Sequence, residues 1–295
     1  LRKTIFGSED NDEVKEQINA PREEHNSKDW ERIDINSPEQ VIAYAGAYGG
    51  LPEEHREALE KKLAENAIDA VNYARATGKR FEAAEPIIAQ NAREATMYAA
   101  EVIKGRFEAG EAKIAKNPGM AVAYTRLALG GKRFKQAEAN IANNAHASVG
   151  YASAIGKRFV EGEHTIAKDA IESYRYSTLL GKRFEAGEGA IFIKGLKDYQ
   201  NTLKAQQQGD SEDDGSSNIA LRYFKNIQGQ VNQDFYGKIA KSAILCQMYA
   251  QSLGFSKNSP SEHDISGIFT GGNKQSKVIA DAASGKEPKY VPLLA

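Results

Sequence analysis

The feature that most constrains this chain is a short string that recurs at nearly constant spacing. Gly-Lys-Arg-Phe occurs four times, and a fifth copy reads Gly-Arg-Phe without the central lysine. The phenylalanines are separated by 26, 27, 25 and 25 residues, at Phe81, Phe107, Phe134, Phe159 and Phe184. A fixed period of about 20–50 residues is typical of repeat proteins, in which each unit packs on its neighbours. The sequence therefore predicts a repeat array.

Three further positions recur after each phenylalanine. A glutamate follows four residues later, at Glu85, Glu111, Glu138, Glu163 and Glu188. An isoleucine follows seven residues later, at Ile88, Ile114, Ile141, Ile166 and Ile191. Only alanine or glycine stands three residues later, at Ala84, Gly110, Ala137, Gly162 and Gly187. Offsets of 0, 4 and 7 share one helical face, so the phenylalanine, glutamate and isoleucine are expected to point toward the core.

Each repeat is predicted to contain two short helices. Ten residues after phenylalanine stands a preferred N-cap residue, namely Asn91, Asn117, Asn144 or Asp169. The apolar spacing that follows is helical, and in the second copy we expect it to end at a left-handed Gly105. A unit this small cannot bury its own apolar stripe, so neighbouring units must stack. The predicted fold class is all-α, as an α-solenoid of two-helix repeats with an N-terminal arm and a helical C-terminal segment.

The pattern also predicts how the chain is divided. Residues 1–36 are polar and acidic and are expected to form an arm, and residues 37–199 form the array. Within the array, 37–65 is a capping repeat and 66–199 carry the repeats, with paired helices of about 9–13 residues and no strand. Residues 200–217 are a low-complexity linker, and 218–295 are a helical segment with an irregular tail. Helices in 218–253 should cover the apolar end formed by residues 191–193.

The repeated charges admit two interpretations. An arginine precedes every phenylalanine, at Arg80, Arg106, Arg133, Arg158 and Arg183, and a lysine precedes four of these, at Lys79, Lys132, Lys157 and Lys182. The structural interpretation is a buried ladder in which each arginine pairs with a repeat glutamate, because a carboxylate on a core-facing stripe must be paired. The functional interpretation is that the basic residues line one edge and bind phosphate or acidic partners.

No constellation of catalytic or metal-binding residues is found. The five histidines share no ligand spacing, and Cys246 is expected to be a buried, inert thiol. Residues 271–277 lack the Walker spacing and are interpreted as a flexible loop, and His263 has acidic neighbours on an irregular segment. We therefore predict that the chain is not an enzyme and uses no metal and no cofactor.

Charge and hydropathy restrict the classes of partner. The net charge is −1, which excludes a globally basic nucleic-acid binder. Residues 66–200 carry 20 basic and 15 acidic side chains, an excess too small to argue for nucleic acid by itself. Apolar runs are only a few residues long, so we expect neither a transmembrane helix nor a signal peptide.

The segment from Tyr98 to Ile114, Tyr-Ala-Ala-Glu-Val-Ile-Lys-Gly-Arg-Phe-Glu-Ala-Gly-Glu-Ala-Lys-Ile, resembles a helical repeat of uncharacterised tailed-bacteriophage proteins. The resemblance covers about residues 66–193. It implies a phage origin and a helical solenoid, but it implies no activity. The chain departs from the pattern in the missing lysine of the second copy and in the irregular spacing of the first.

The expected function is a non-enzymatic scaffold that binds a partner protein, from virion or host, on the repeat surface. One alternative is a structural component of the virion. Another is a nucleic-acid binder that uses the Lys–Arg loops as a phosphate track, with tyrosines available for stacking. The expected location is the host cytoplasm or the virion.

Overall fold

The computed structural model describes residues 27–208, 217–227 and 230–239, together with 242, 245, 248, 249 and 252. All regular elements in these ranges are helical and none is a strand, so the predicted all-α class is confirmed. The chain divides into two compact units, residues 1–137 and 138–295. Most of the predicted arm and the tail beyond residue 252 lie outside the described residues.

The first unit begins with a single turn and two capping helices and continues as alternating first and second helices of each repeat. The turn is Ser27–Trp30, and the capping helices are Pro38–Tyr48 and Glu53–Leu63. First helices follow at Ala67–Thr77, Ala92–Tyr98 and Pro118–Leu127, and second helices at Glu85–Ile88 and Glu108–Ile114. Successive first helices pack side by side, beginning with Pro38–Tyr48 against Ala67–Thr77.

The second unit continues the same alternation. Helix Lys135–Ala142 spans the boundary between the units, and the first helices Ala145–Ile155 and Ala170–Leu180 follow it. The second helices are Glu163–Ile166 and the long Glu188–Gln208, and the C-terminal helices are Ile219–Asn226 and Gln233–Ile239. Ala145–Ile155 packs on Ala170–Leu180, which in turn packs on Ile219–Asn226.

The first helices start where the N-cap residues predict. The side chain of Asn91 accepts hydrogen bonds from the backbone N–H groups of Arg93 and Glu94, at 3.1 and 3.3 Å. Asn117, Asn144 and Asp169 cap their helices in the same way. These bonds satisfy N–H groups that have no partner within the helix, so each repeat restarts its first helix at a defined residue.

The second helices of the first four repeats are shorter than the predicted 9–13 residues, whereas the last one, Glu188–Gln208, has 21 residues. Glu85–Ile88 and Glu163–Ile166 have 4 residues each, and each follows a 3-residue 3₁₀ turn. In these four repeats the next N-cap stands only ten residues after the phenylalanine, which leaves no length for a longer helix. The small residue before the glutamate allows close packing, as expected: a Cβ added to Gly162 would lie 2.6 Å from the Cβ of Ser148.

The C-terminal segment packs on the last repeat. Ile191 and Phe192 share one buried cluster with Tyr223, Phe224 and Phe235. The prediction for residues 191–193 is therefore correct for the first two, but Ile193 is exposed because it points away from this cluster. The linker prediction was wrong at its start, since helix Glu188–Gln208 continues through residues 200–208.

The described end of the arm contributes to the first unit. Trp30 packs edge-on against Tyr44 and stacks on His55, with ring centroids 4.9 and 5.2 Å apart. Tyr48 donates a hydrogen bond of 2.6 Å to Asp29. Residues 27–30 are therefore packed helix, whereas the sequence predicted that the arm extends to residue 36.

Candidate functional site

Three of the Gly-Lys-Arg-Phe loops share one backbone conformation, which is set by their glycines, whereas the copy at 131–134 has two left-handed glycines in succession, Gly130 and Gly131. Gly78, Gly156 and Gly181 end their first helices with φ between 63° and 65°. This left-handed region costs glycine little, because glycine has no Cβ to clash with the backbone. The glycine thereby ends the first helix and reverses the chain direction, and the lysine, arginine and phenylalanine that follow form the loop to the second helix.

The second copy reaches the same turn with different residues. Lys104 has φ 55° and caps the helix, so the prediction that Gly105 is the left-handed residue was wrong. Ala99–Ile103 forms a π-helical turn, which accommodates one additional residue within the helix. The lysine that is missing from this copy therefore stands one position earlier, where the other copies have glycine.

Four of the five loop arginines are seen to pair with the glutamate five residues later. Arg106 donates from Nε to Glu111 Oε1 and from Nη2 to Oε2, at 2.9 and 2.6 Å. The same two-bond pairing joins Arg80 to Glu85, Arg158 to Glu163 and Arg183 to Glu188. The parallel fork is the strong geometry for a guanidinium and a carboxylate, and it fixes the direction of the arginine. The ladder expected from the offsets is present in these four repeats, and each pair lies within one repeat.

A tyrosine from the following first helix completes each pair. Tyr124 donates to Glu111 Oε1 at 2.8 Å, and its hydroxyl accepts from the backbone N–H of Phe107 at 2.9 Å. Tyr98 bonds Glu85 and Phe81 in this way, and Tyr176 bonds Glu163 and Phe159. Tyr151 donates to Glu138 at 2.7 Å. We refer to an arginine, a glutamate and this tyrosine as an Arg–Glu–Tyr triad.

The triads surround their carboxylates with protein. Glu111 and Glu188 are buried, and Glu85, Glu138 and Glu163 are half-buried. The hydrogen bonds from Arg80 lower the pKa of Glu85, and this effect outweighs the burial that opposes it. Burial, followed by the nearby Glu85 carboxylate, raises the pKa of Tyr98 to about 12. The triad of Arg80, Glu85 and Tyr98 therefore favours an ionised glutamate beside a neutral tyrosine.

The tyrosines of this site were not predicted from the sequence. Each follows the glutamate by 13 residues, in the pairs Glu60–Tyr73, Glu85–Tyr98, Glu111–Tyr124, Glu138–Tyr151 and Glu163–Tyr176. The constant offset of 13 residues could have indicated that these side chains are in contact. It joins residues of neighbouring repeats, so the pattern within a single repeat does not reveal it. The expectation that tyrosines are available to stack on bases is wrong for Tyr98, Tyr124, Tyr151 and Tyr176, which are fully buried.

Tyr223 fills the tyrosine position of the last triad. It donates to Glu188 at 2.9 Å, although 35 residues separate the two. Helix Ile219–Asn226 packs beside Ala170–Leu180, as a following first helix would. Lys238 adds a further contact of 2.9 Å to Glu188. The C-terminal segment thus takes the place of the next repeat.

The predicted surface residues have different surroundings in the structure. Lys132, Lys157 and Lys182 are exposed, whereas Lys79 donates to the backbone oxygen of Gly49 at 3.1 Å. The arginine side chains of the paired loops are 54, 61 and 50% exposed in Arg80, Arg106 and Arg158, but only 5% exposed in Arg183. Arg133 is also exposed. The loops of Arg158 and Arg183 therefore combine an arginine that is fixed by its glutamate with an exposed lysine.

The remaining candidates bring no further groups together. His146 contacts Glu172 and Arg175, and His164 contacts Thr165 on the surface of its helix. Among residues that the structure describes, no group of three or more His, Cys, Asp or Glu could hold a metal ion. The side chain of Cys246 and residues 262–277 lie outside the described residues.

In the ranges covered by the structure, no helix is both long and apolar enough to cross a membrane. No family model, no curated protein and no solved structure matches this chain.

Proposed function

We propose that this chain is a non-enzymatic scaffold that binds a partner protein through its Gly-Lys-Arg-Phe loops. The observation that supports this most directly is the contrast between fixation and exposure in the loop arginines. Nε and Nη2 of Arg158 are held by Glu163, yet half of its side chain remains accessible to solvent. A polar group that is already ordered loses less conformational entropy when it binds, so such a loop favours recognition of a partner.

Exposed lysines lie beside the fixed arginines. Lys157 and Lys182 stand next to Arg158 and Arg183 within the second unit, and both lysines are exposed. Each glutamate offsets the charge of its arginine, so the lysine supplies the net positive charge of a loop. This arrangement suits protein surfaces with acidic and amide side chains, for which shape and hydrogen bonding matter as well as charge.

The alternative of nucleic-acid binding has less support. Its stacking contribution was expected from the tyrosines, and the repeat tyrosines are buried. A titration of binding to DNA and RNA at increasing salt distinguishes the two, because binding through phosphates weakens steeply as salt rises. The virion-component alternative, the phage origin and the location in host cytoplasm or virion stay predictions that rest on the repeat resemblance.

The experiment that tests the scaffold proposal compares two matched double variants. Lys157→Glu/Lys182→Glu changes the loops, and Lys116→Glu/Lys168→Glu changes exposed lysines that precede the N-caps of the first helices. The tagged chain is expressed in cells, and proteins that bind it are captured by affinity purification. A captured partner protein is then purified, and its affinity for each variant is measured. A loss of affinity of at least tenfold in the loop variant alone supports the proposal. Equal affinity of both variants and the unchanged chain would contradict it.

A further inference from the structure

One loop of the chain is already bound by a peptide segment, which belongs to the chain itself. Gln230 accepts from the backbone N–H of Arg183 at 3.0 Å and donates to the backbone oxygen of Gly181 at 3.1 Å. Asn232 accepts from Nη1 of Arg183 at 2.7 Å. Gln230 thus forms hydrogen bonds with the backbone of the loop, and Asn232 binds Nη1 of Arg183, the guanidinium nitrogen that does not contact Glu188.

Two further side chains complete the cover of this loop. The Asp234 carboxylate lies 3.8 Å from Nη2 of Arg183, and the ring centroid of Phe235 lies 5.1 Å from its guanidinium carbon. Both contacts favour a cation at this position. Together they account for the difference between the 5% exposed Arg183 and the 50% exposed Arg158.

Two other loops present the same groups without such a cover. Gly78 and Gly156 have the φ of Gly181, and Arg80 and Arg158 form the same fork with their glutamates. Within the described ranges, no acceptor contacts the backbone N–H or Nη1 of either arginine. The loop of Arg106 differs because Lys104 replaces the left-handed glycine, so it is not included.

We infer that the loops at residues 78–81 and 156–159 each bind a segment of a partner protein with the chemistry of residues 230–235, in which residues 230–232 precede the helix Gln233–Ile239. Such a segment carries amides at its first and third positions, a carboxylate at the fifth and an aromatic ring at the sixth. The inference rests on the proposed scaffold function and specifies the class of ligand. The recognition is that of a peptide by backbone and side-chain hydrogen bonds together.

The occupant is a different protein rather than a second copy of this chain. Phe235 and Ile239 are fully buried in the cluster that contains Ile191 and Phe192. Releasing residues 230–238 to another copy would expose these side chains to water, which opposes the exchange. Asn232 and Gln230 are therefore retained by the loop of their own chain.

The test uses the full chain and a synthetic peptide of residues 230–238, with a photoreactive benzophenone side chain in place of Tyr236. We expect saturable cross-links at residues 78–81 and 156–159. A peptide with Gln230→Leu and Asn232→Leu should bind at least tenfold more weakly. In the chain, Arg158→Lys should reduce cross-linking at 156–159 at least fivefold and leave the signal at 78–81 as an internal reference.

The outcomes separate this inference from the scaffold proposal. The inference would be overturned if the unchanged chain gave no saturable cross-links, or if the leucine peptide bound as tightly as the unchanged peptide. Both measurements use the unchanged chain, so they do not depend on whether the Arg158→Lys variant folds. The loss of partner affinity in Lys157→Glu/Lys182→Glu would still stand in that case. Cross-links at the two loops that require both amides would support the inference independently of any captured partner.

Discussion

Tyr223 donates a hydrogen bond of 2.9 Å to Glu188, in the place where Tyr176 bonds Glu163 in the preceding repeat. The two tyrosines reach this position from different sequence contexts. Tyr176 stands seven residues after its N-cap Asp169, whereas Tyr223 stands five residues after Asn218. The hydrogen bond between tyrosine and glutamate is thus retained at Glu188, although no further Gly-Lys-Arg-Phe repeat follows it. Glu188 is buried, so its carboxylate requires a hydrogen-bond partner as the repeat glutamates do.

Removing a glutamate should cost more where its arginine is buried. In Glu188→Ala, the 5% exposed Arg183 loses its main counter-charge, and we expect a loss of about 3–5 kcal/mol in the free energy of unfolding. In Glu85→Ala, the 54% exposed Arg80 can be hydrated, so a clearly smaller loss is expected. Urea unfolding followed by circular dichroism measures both. Equal losses would show that burial of the arginine does not determine the cost.

Close packing at the small residue should make Gly162→Ala destabilising. The added Cβ would lie 2.4 Å from Ser148 Oγ and 2.9 Å from the Phe159 ring, so the helices must separate, at about 1–3 kcal/mol. Gly189→Ala is the matched control, because no atom lies within 4 Å of its added Cβ. Alanine should stabilise that helix slightly. If both variants melted at the temperature of the unchanged chain, the packing argument would fail.

Acid should remove the stabilisation that the Glu85 pair provides. The folded-state pKa of Glu85 lies below its ordinary value of 4.5, so its contribution is present above that pH and is lost as pH falls through the folded value. Glu85→Gln provides the control, since glutamine does not titrate. The difference in unfolding free energy between the two proteins should shrink as the pH is lowered below about 4.5. A difference that is constant with pH would be inconsistent with the pairing.

High pH should lower the stability of the folded chain, because it ionises buried tyrosines. Burial raises the pKa of Tyr98 and of Tyr176 to about 12, so the stabilisation by their neutral forms is complete below the ordinary value of 10.0. It is lost as the pH rises through the folded value of about 12. Absorbance titration of tyrosinate should show a late step that Tyr98→Phe/Tyr176→Phe reduces. Ionisation of every tyrosine near pH 10 would contradict the buried hydroxyls.

The parts of the structure that were predictable are those fixed by offsets within one repeat. The N-caps at Asn91 and Asp169 and the pairing of Arg106 with Glu111 follow from single-helix geometry. The tyrosine contacts join neighbouring repeats, and their offset of 13 residues does not coincide with the face of any one helix. Contacts between repeats depend on how helices pack, which the pattern of one unit does not contain.

The ends of the array were less predictable for the same reason. Helix Ile219–Asn226 lacks the Gly-Lys-Arg-Phe string, and nothing in its own sequence indicates that Tyr223 completes a triad. The apolar residues of 218–253 did predict that this segment covers the last repeat. The pairing of Gln230 and Asn232 with Arg183 could not be derived, because it depends on where the intervening chain places them.

We expect the tyrosine of one repeat and the glutamate of the preceding one to form an energetic link between repeats. A double-mutant cycle with Glu111→Gln and Tyr124→Phe tests it most directly, because Tyr124 Oη contacts both Glu111 and the Phe107 N–H. The two changes in unfolding free energy should be non-additive by about 1 kcal/mol or more. Additivity within about 0.3–0.5 kcal/mol would contradict the claim.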